Sequence, residues 1–564
     1  MQPDRIAHKI RQALATAKKL HVSGHLDDAR RACELVLKAQ PGNAQALVRL
    51  GLLAREQRQG DEAIAHFRAA VQSSPADVSA IHLLARTLRE WGHPEDAEAV
   101  LDGVLPAMPL PVLKFEKARC LIDREMPGAA LPFLEAAVAE RPDNAEFHSL
   151  LGVAQRRTGG KAAAVQSFTA ALKLDPQDVA ALNGLGNDAL EREDFGTAAD
   201  WYRRALAVQP DFAKAQKNLA YTLSLTGDTA AARAAFARVF ELRPDMAEAH
   251  MDYGLFLLSI GEYAQGWREY DHRWQFERFS ERDWGGGLPR WDGAALRGRH
   301  LLLWGEQGIG DHILYGTILP DAIRLAAGRV TIAVEPRLVP LFARALASDG
   351  VEVVERGAPV TADLQCPFGS LGLWLRPDPS TCGHGRYLKA DATRSAALRE
   401  RYAALGNPGD KLIGLSWRSA NWHVGHYKSL TLDTLLPVLR RPGVVWMSLQ
   451  YGDVSAEIAD FAARHGIAIH QDAEIDATLD LDGLAAQIAA LDTVVSSSNS
   501  TVHIAGALGK PCDVLLSAGR GRMWYWPPRS AVSPWYDTIR LVRQARAGDW
   551  SDAVAQLNTI LDAA

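Results

Sequence analysis

Four residues in this chain have the type and setting to work on a phosphorylated substrate: Asp311, Arg418, Lys428 and His503. Asp311 lies in GEQGIGDHILYGTILP (305–320), where Gly305, Gly308 and Gly310 let the backbone turn tightly before a helix. A carboxylate there can take a proton from a hydroxyl, with Gln307, Gly308 and Gly310 shaping an acceptor loop around it. It can equally be a helix cap, since Asp is a favoured N-cap residue. The stretch lacks a Walker lysine and the GxGxxG spacing, so neither nucleoside-triphosphate hydrolysis nor NAD binding is expected. GLSWRSANWHVGHYKSL (414–430) sets Arg418 and Lys428 beyond an apolar run, where a cation can neutralise a departing diphosphate. TVVSSSNSTVHIAGALGKP (493–511) reads as a strand, a polar turn and a helix beginning near Thr501. Ser498, Asn499, Ser500 and Thr501, with the free N–H groups of that helix, make an anion site, and His503 in the first turn can donate to a phosphate oxygen. Gln450, Tyr451 and Asp453 follow the apolar run VVWMSLQ and are candidates for nucleoside contact or for a plain helix start.

No metal chemistry is expected. The histidines form no HExxH, no DxD occurs in the loops 305–320 and 414–430, and the DLD at 480–482 reads as a helix cap. A chain of 564 residues calls for at least two domains. The net charge of -5 supplies no basic field, so nucleic-acid binding has no compositional support. The five cysteines are odd in number and lack CxxC spacing, which argues for a reducing compartment and against a disulfide framework. The N-terminus lacks the pattern of a secretory signal, and no run approaches the roughly 18 apolar residues of a membrane span. A cytoplasmic protein with no transmembrane segment is expected.

The elements that must position these residues form two series of apolar runs. HLLLW (300–304), RVTIAVE (329–335) and VEVVE (351–355) make the first. KLIGLSW (411–417), VVWMSLQ (444–450), IAIHQ (467–471), TVVSSS (493–498) and PCDVLLS (511–517) make the second. Strands alternating with helical segments imply parallel sheets covered by helices on both faces. The expected layout is a Rossmann-like half over 299–403, another over 404–532, and a closing helix over 533–564. Before them, 271–298 reads as a tryptophan-rich linker; with Trp267 just ahead of it the aromatic run carries Trp267, Trp274, Trp284 and Trp291, with Gly285–Gly287 permitting a turn. Such a dense aromatic run is expected to pack a joint.

Residues 5–270 are a repeat array. Prolines at 41, 75, 109, 142, 176, 210 and 244 recur at intervals of 34, once 33. Small residues keep the same phase at Gly51, Ala85, Ala118, Gly152, Gly186, Ala220 and Gly254. Small residues let two antiparallel helices approach closely, and the proline stops the second. The period and pattern match the tetratricopeptide repeat, whose first helices line a groove. Counting from each proline places Arg55, Arg86, Arg89, Arg156, Asn183, Asn187, Lys214, Lys217 and Tyr221 on that face, suited to holding a polypeptide.

The segments WDGAALRGRHLLLWGEQGIGDHILYGTILP, VVWMSLQYGD, LAAQIAALDTVVSSSNSTVHIAGALGKP and SPWYDTIRLVRQARAGDW resemble the C-terminal domain of bacterial tetratricopeptide glycosyltransferases. That domain is similar to ADP-heptose:lipopolysaccharide heptosyltransferases and, more distantly, to the O-GlcNAc transferase architecture. The resemblance implies a GT-B fold, Asp311 as general base, Ser498–Thr501 with His503 as the donor-phosphate loop, and Lys428 or Arg418 as the cation facing the diphosphate. It implies an inverting, metal-independent transfer from a nucleotide-sugar co-substrate, with no cofactor, to Ser/Thr hydroxyls of a protein held by the repeats. Likeness to repeat-containing flagellin glycosyltransferases points to flagellin as the acceptor. Family members usually carry Asp-Thr where this chain has Ser498-Asn499, which points to a donor other than heptose or to lost activity. Transfer to lipopolysaccharide or a lipid-linked acceptor, and a scaffold with a relic transferase domain, are the alternatives.

Overall fold

The computed structural model describes residues 2–563 except 278, 280–283, 285, 286, 384 and 422, with side chains from residue 5 onward. Gly285 and Gly286 of the expected turn thus lie outside the described residues, while Gly287 has the positive φ of +81° that such a turn uses. The chain divides into two compact units, residues 1–219 and 220–564, so the break falls inside the repeat array rather than at 270.

The first unit is all helical, and each repeat is built alike. Second helices such as Gly60–Ser73 and Lys161–Leu174 end two residues before the periodic proline. Asn43, Asp77, Asn144 and Asp178 then cap the next helix, each accepting from a backbone N–H two or three residues on. Each such cap contributes about 1 kcal/mol. The small residue of the first helix is small because an aromatic ring sits on it. A Cβ at Gly51 would meet the Phe67 ring at 2.6 Å, one at Gly152 the Phe168 ring at 2.7 Å, and one at Gly186 the Tyr202 ring at 2.5 Å.

The second unit opens with the remaining repeat helices, Thr229–Leu242, Ala247–Ser259 and Tyr263–Tyr270. Two parallel sheets follow. The first has β1 (His300–Trp304), β2 (Arg329–Val334), β3 (Val351–Glu355) and β4 (Leu364–Pro367) in the order β3-β2-β1-β4. The second has β5 (Lys411–Ser416), β6 (Val444–Ser448), β7 (Ile469–His470), β8 (Thr493–Ser497), β9 (Cys512–Leu516) and β10 (Ile539–Arg543) in the order β10-β9-β8-β5-β6-β7. Two strands were not expected. β4 is four residues long, and β10 lies within 533–564, where only a helix was anticipated; the helix Ser551–Ala563 follows it. The helix Ala392–Ala403, placed by sequence with the first half, is tied to the second. Its Arg394 pairs with Asp480 at 2.6 Å and Arg399 with Asp492 at 2.7 Å.

The tryptophan-rich stretch packs a joint. Trp267 is buried, donates its indole N–H to the Arg376 carbonyl at 2.8 Å and meets Trp524 edge-on at 5.3 Å. Arg273, wholly buried, grips Glu306 through Nε and Nη2 at 3.0 and 2.6 Å and lies over the Tyr270 and Trp274 rings. Glu306 in turn accepts from the Gly369 N–H at 2.9 Å. Removing one member of such a buried pair costs about 3–5 kcal/mol, so this contact fixes the loop after β1 to the loop after β4.

Candidate active site

In an open parallel sheet a crevice forms where strand order reverses, outside the carboxyl ends of the strands. The first sheet reverses between β1 and β4, and the second between β5 and β8. Asp311 follows β1, Lys428 follows β5, and Ser498–Thr501 follow β8. Three segments chosen from residue type alone therefore emerge at both reversals.

The two halves meet there through helix N-termini. Gly310 opens the helix Ile309–Gly316, and a Cβ on it would lie 3.0 Å from the His503 ring and 3.9 Å from the Ser500 Cα. A side chain there would crowd the His503 ring of the helix Ser500–Leu508. Asp311 is half-buried and is not the N-cap of its helix, which is Gly308; three residues on, its Oδ2 accepts from the Gly308 N–H at 3.1 Å, the return bond of a capping box. Burial nonetheless pushes its carboxyl up to about 6, with Glu306 adding to the rise while the Gly308 N–H and Lys428 pull it back. A carboxylate poised near neutral pH is suited to taking a proton. Gln307 holds a positive φ of 63° and donates to the Tyr270 hydroxyl at 2.5 Å. A non-glycine residue in that region stores strain, a feature that collects at functional sites.

Lys428 is buried, and its ammonium has a single hydrogen-bond contact among the described residues, the Met523 sulfur at 3.9 Å. Burial lowers its proton affinity and Asp311 raises it. Gly521 makes room for its stem, since a Cβ there would strike the Lys428 Cγ at 2.8 Å. A buried cation without a bonded carboxylate, beside a helix N-terminus, is a place for an anion. His503 stacks on Trp526 at 5.5 Å and meets the Tyr536 hydroxyl through Nδ1 at 3.1 Å. Burial, with Lys428 nearby, lowers its pKa to about 3, so it is neutral at working pH. The Thr501 hydroxyl is buried without a hydrogen-bond partner among the described residues, and Ser500 is half-buried at the helix start.

Other expected residues serve the fold. Asn499 caps the helix through Oδ1, on the Thr501 N–H at 3.0 Å, and its Nδ2 donates to the Ser416 hydroxyl at 2.7 Å and the Arg418 carbonyl at 3.0 Å. Ser498 accepts from the Trp526 indole at 2.9 Å. An aspartate at 499 would have no hydrogen to give the Arg418 carbonyl. Arg418 pairs with Glu457 at 2.9 Å. Gln450 spends its amide on the backbone of Trp417, Arg418 and Tyr451. Tyr451 accepts from the Ala420 N–H at 2.8 Å, and the exposed Asp453 caps Ser455 at 3.1 Å. These three brace loops rather than present free groups for a nucleoside. Glu306 is taken by Arg273, and His312 accepts from the Glu335 N–H at 3.4 Å. Asp480 caps its helix on Gly483 and Asp482 pairs with Arg344, so the DLD holds structure. Sequence reasoning passed over Gly521, Met523, Tyr525, Trp526 and Tyr536, although the dense aromatic run MWYW (523–526) was a visible signal.

On the repeat face the arginines are committed: Arg55 and Arg86 to Glu90, Arg89 to Asp123, and Arg156 to Glu191. Asn183 and Asn187 both accept from Asn218 Nδ2, at 3.1 and 3.0 Å, forming an amide ladder that the sequence count had not included. Lys214 is exposed and Lys217 half-buried. Tyr221 lies beside Arg520, which donates to the Tyr427 hydroxyl at 2.9 Å.

Among the described residues, His250, Glu269 and His272 bring ligand atoms within 4.8 Å of one another. The two imidazoles are stacked at 4.1 Å and 16°, so their in-plane lone pairs run parallel and do not converge on one ion. No described helix is long and apolar enough to cross a membrane.

Fold and period together define a tetratricopeptide-repeat array followed by a parallel-sheet region. Tetratricopeptide-repeat family models match residues 14–78, 115–179, 154–218, 183–232 and 219–266, and a second such model matches 54–114. Over its length the chain is similar to Protein FlbA of Caulobacter vibrioides (strain ATCC 19089 / CIP 103742 / CB 15), 29% identical over 572 residues, 92% of this chain and 93% of that one. Among solved structures, MamA from Desulfovibrio magneticus RS-1 is 22% identical, covering 30% of this chain and 96% of its own, with a TM-score of 0.27. The pilF protein of Pseudomonas aeruginosa is 15% identical, covering 36% and 94%, with a TM-score of 0.33.

Proposed function

We propose that this protein is a GT-B glycosyltransferase that moves a sugar from a nucleotide sugar to Ser/Thr hydroxyls of a polypeptide held by its repeats, with flagellin as the acceptor the resemblance points to. One observation carries the reading. A carboxylate raised toward neutrality, Asp311, and a buried ammonium with no bonded carboxylate, Lys428, influence each other across two helix N-termini at the strand-order reversals of both sheets. Asp311 takes the acceptor hydroxyl proton, and the hydroxyl oxygen forms a bond to the anomeric carbon. The carbon–oxygen bond to phosphate breaks, its electron pair leaving on the phosphate, where Lys428 and the N–H groups of Ser500–Leu508 meet the new charge.

The test is Asp311→Asn. Asn offers an amide oxygen to the Gly308 N–H as Asp does but takes no proton, so the variant should keep its melting temperature within a few degrees and lose on the order of 10²-fold or more in transfer rate. Mass spectrometry of an intact acceptor, co-expressed flagellin first, reads the product. Near-normal turnover by the folded variant returns Asp311 to its capping role alone.

A further inference from the structure

Away from the site just described, a cavity of about 1000 Å³ opens between the last repeat and the loop 527–534. One wall is made by Phe256 and Tyr263, the other by Pro528 and Val532, and Val532 is 55% exposed. Two guanidinium groups, Arg522 and Arg529, line it. Neither has a carboxylate or side-chain hydrogen-bond partner among the described residues, although ion pairs occupy most arginines of this chain. The lining carboxylate, Glu262, is already paired with Arg233. Arg522 is half-buried, and burial lowers its proton affinity with no counter-charge to offset it. Arg543 adds a third cation close by, holding the Pro527 and Ser530 carbonyls and so stiffening the loop. A desolvated guanidinium facing an open space is a standing demand for a carboxylate.

The place suits a polypeptide better than a small anion. The volume is at the top of the range for ligand cavities, and its surface mixes prolines, hydroxyls and apolar side chains with the two cations. One wall belongs to residues 219–266, matched as a tetratricopeptide repeat. The other continues the segment whose Met523 and Trp526 touch Lys428 and His503. A chain lying in this cavity is in contact with the repeat fold and with the loop that builds the candidate active site.

We propose that the cavity binds an acidic polypeptide segment, with a carboxylate of that segment on Arg522 and apolar side chains against Val532 and Phe256. The inference rests on the transferase reading only in assigning the segment to the acceptor.

Fluorescence anisotropy on the full chain tests it, using a fluorescein-labelled octapeptide of alternating Asp and Ala and its counterpart with Asn for Asp. A charge-assisted pair predicts that the Asp peptide binds about tenfold or more tightly than the Asn peptide. Arg522→Gln should erase that preference while Arg522→Lys keeps part of it. Val532→Glu, a change on an exposed side chain, should repel the Asp peptide and spare the Asn peptide. Equal affinity for the two peptides, no measurable binding of the Asp peptide, or an Asp preference retained in folded Arg522→Gln overturns the proposal. Calorimetry with cytidine monophosphate and uridine diphosphate separates the two readings. A protein that prefers the Asp peptide but takes neither nucleotide keeps this site and loses the transferase.

Discussion

Burial and the neighbouring Glu306 raise the Asp311 carboxyl from 3.8 to about 6. The shift has a sign that can be checked. A carboxyl that holds its proton more tightly when folded adds stability below pH 3.8, and that contribution is lost as pH rises through about 6. Asp311→Asn should therefore flatten the change in urea midpoint across that window. Activity runs the other way, because a base must be free of its proton: kcat/KM should rise with pH through a limb near 6. Lys428 holds the carboxyl down, so Lys428→Met should move that limb to higher pH as well as weaken donor use. A limb that stays in place or moves down in Lys428→Met would show that the two groups do not act on each other. Tyr536 adds a second test. Its hydroxyl meets His503 Nδ1 at 3.1 Å and has no other hydrogen bond among the described residues, so it donates there and leaves Nε2–H free. Tyr536→Phe releases that choice of ring proton. Several-fold loss in kcat with a little-changed melting temperature is expected, and an unchanged kcat would make the contact packing alone.

Elements with strong patterns could be read directly, and those that depend on a neighbour could not. Largely apolar runs of five to seven residues gave β1, β2, β5, β6, β8 and β9 nearly in place, because a strand covered on both faces is mostly apolar. β4, LQCP, is too short to carry a pattern, and its Gln365 is buried because the Trp304 indole donates to it at 2.8 Å. β10, IRLVR, alternates charge with apolar residues because Arg540 reaches Asp513 of the adjacent strand at 2.6 Å. Both pairings are long-range facts. Asn499 belongs with them: the sequence marked it as a departure from a motif, and the structure shows a brace between the loops after β5 and β8. Asn499→Asp replaces a donor with an acceptor facing the Arg418 carbonyl. A loss of about 1–3 kcal/mol in urea unfolding is expected. A stability equal to wild type would mean that the loops do not need this bridge.

For the molecule as a whole, the 34-residue period placed the repeats, which are matched to residue 266, but not the boundary between the two compact units, which falls at 219/220. Repeats contact chiefly their neighbours, so sequence logic put the cut where the period fades, near 270. The last repeat has a second allegiance. A Cβ at Gly254 would meet the Tyr270 backbone at 2.4 Å, where Gly51, Gly152 and Gly186 face an aromatic ring instead, and Tyr263, Trp267 and Tyr270 are buried in the core that contains β1 and Trp535. Cutting at 270 leaves the sheet region without these three aromatics. Deleting even one large aromatic from a core costs about 3–5 kcal/mol, comparable to much of the 5–15 kcal/mol that holds a domain. A fragment of residues 211–564, which keeps the whole helix Ala213–Thr226, should thus fold with a single cooperative thermal transition and a native near-ultraviolet dichroism from its tryptophans. A fragment of residues 271–564 should be expanded or aggregated, with that dichroism lost. Should the shorter fragment melt as cooperatively as the longer one, the last repeat would be a spacer and not part of the core it enters.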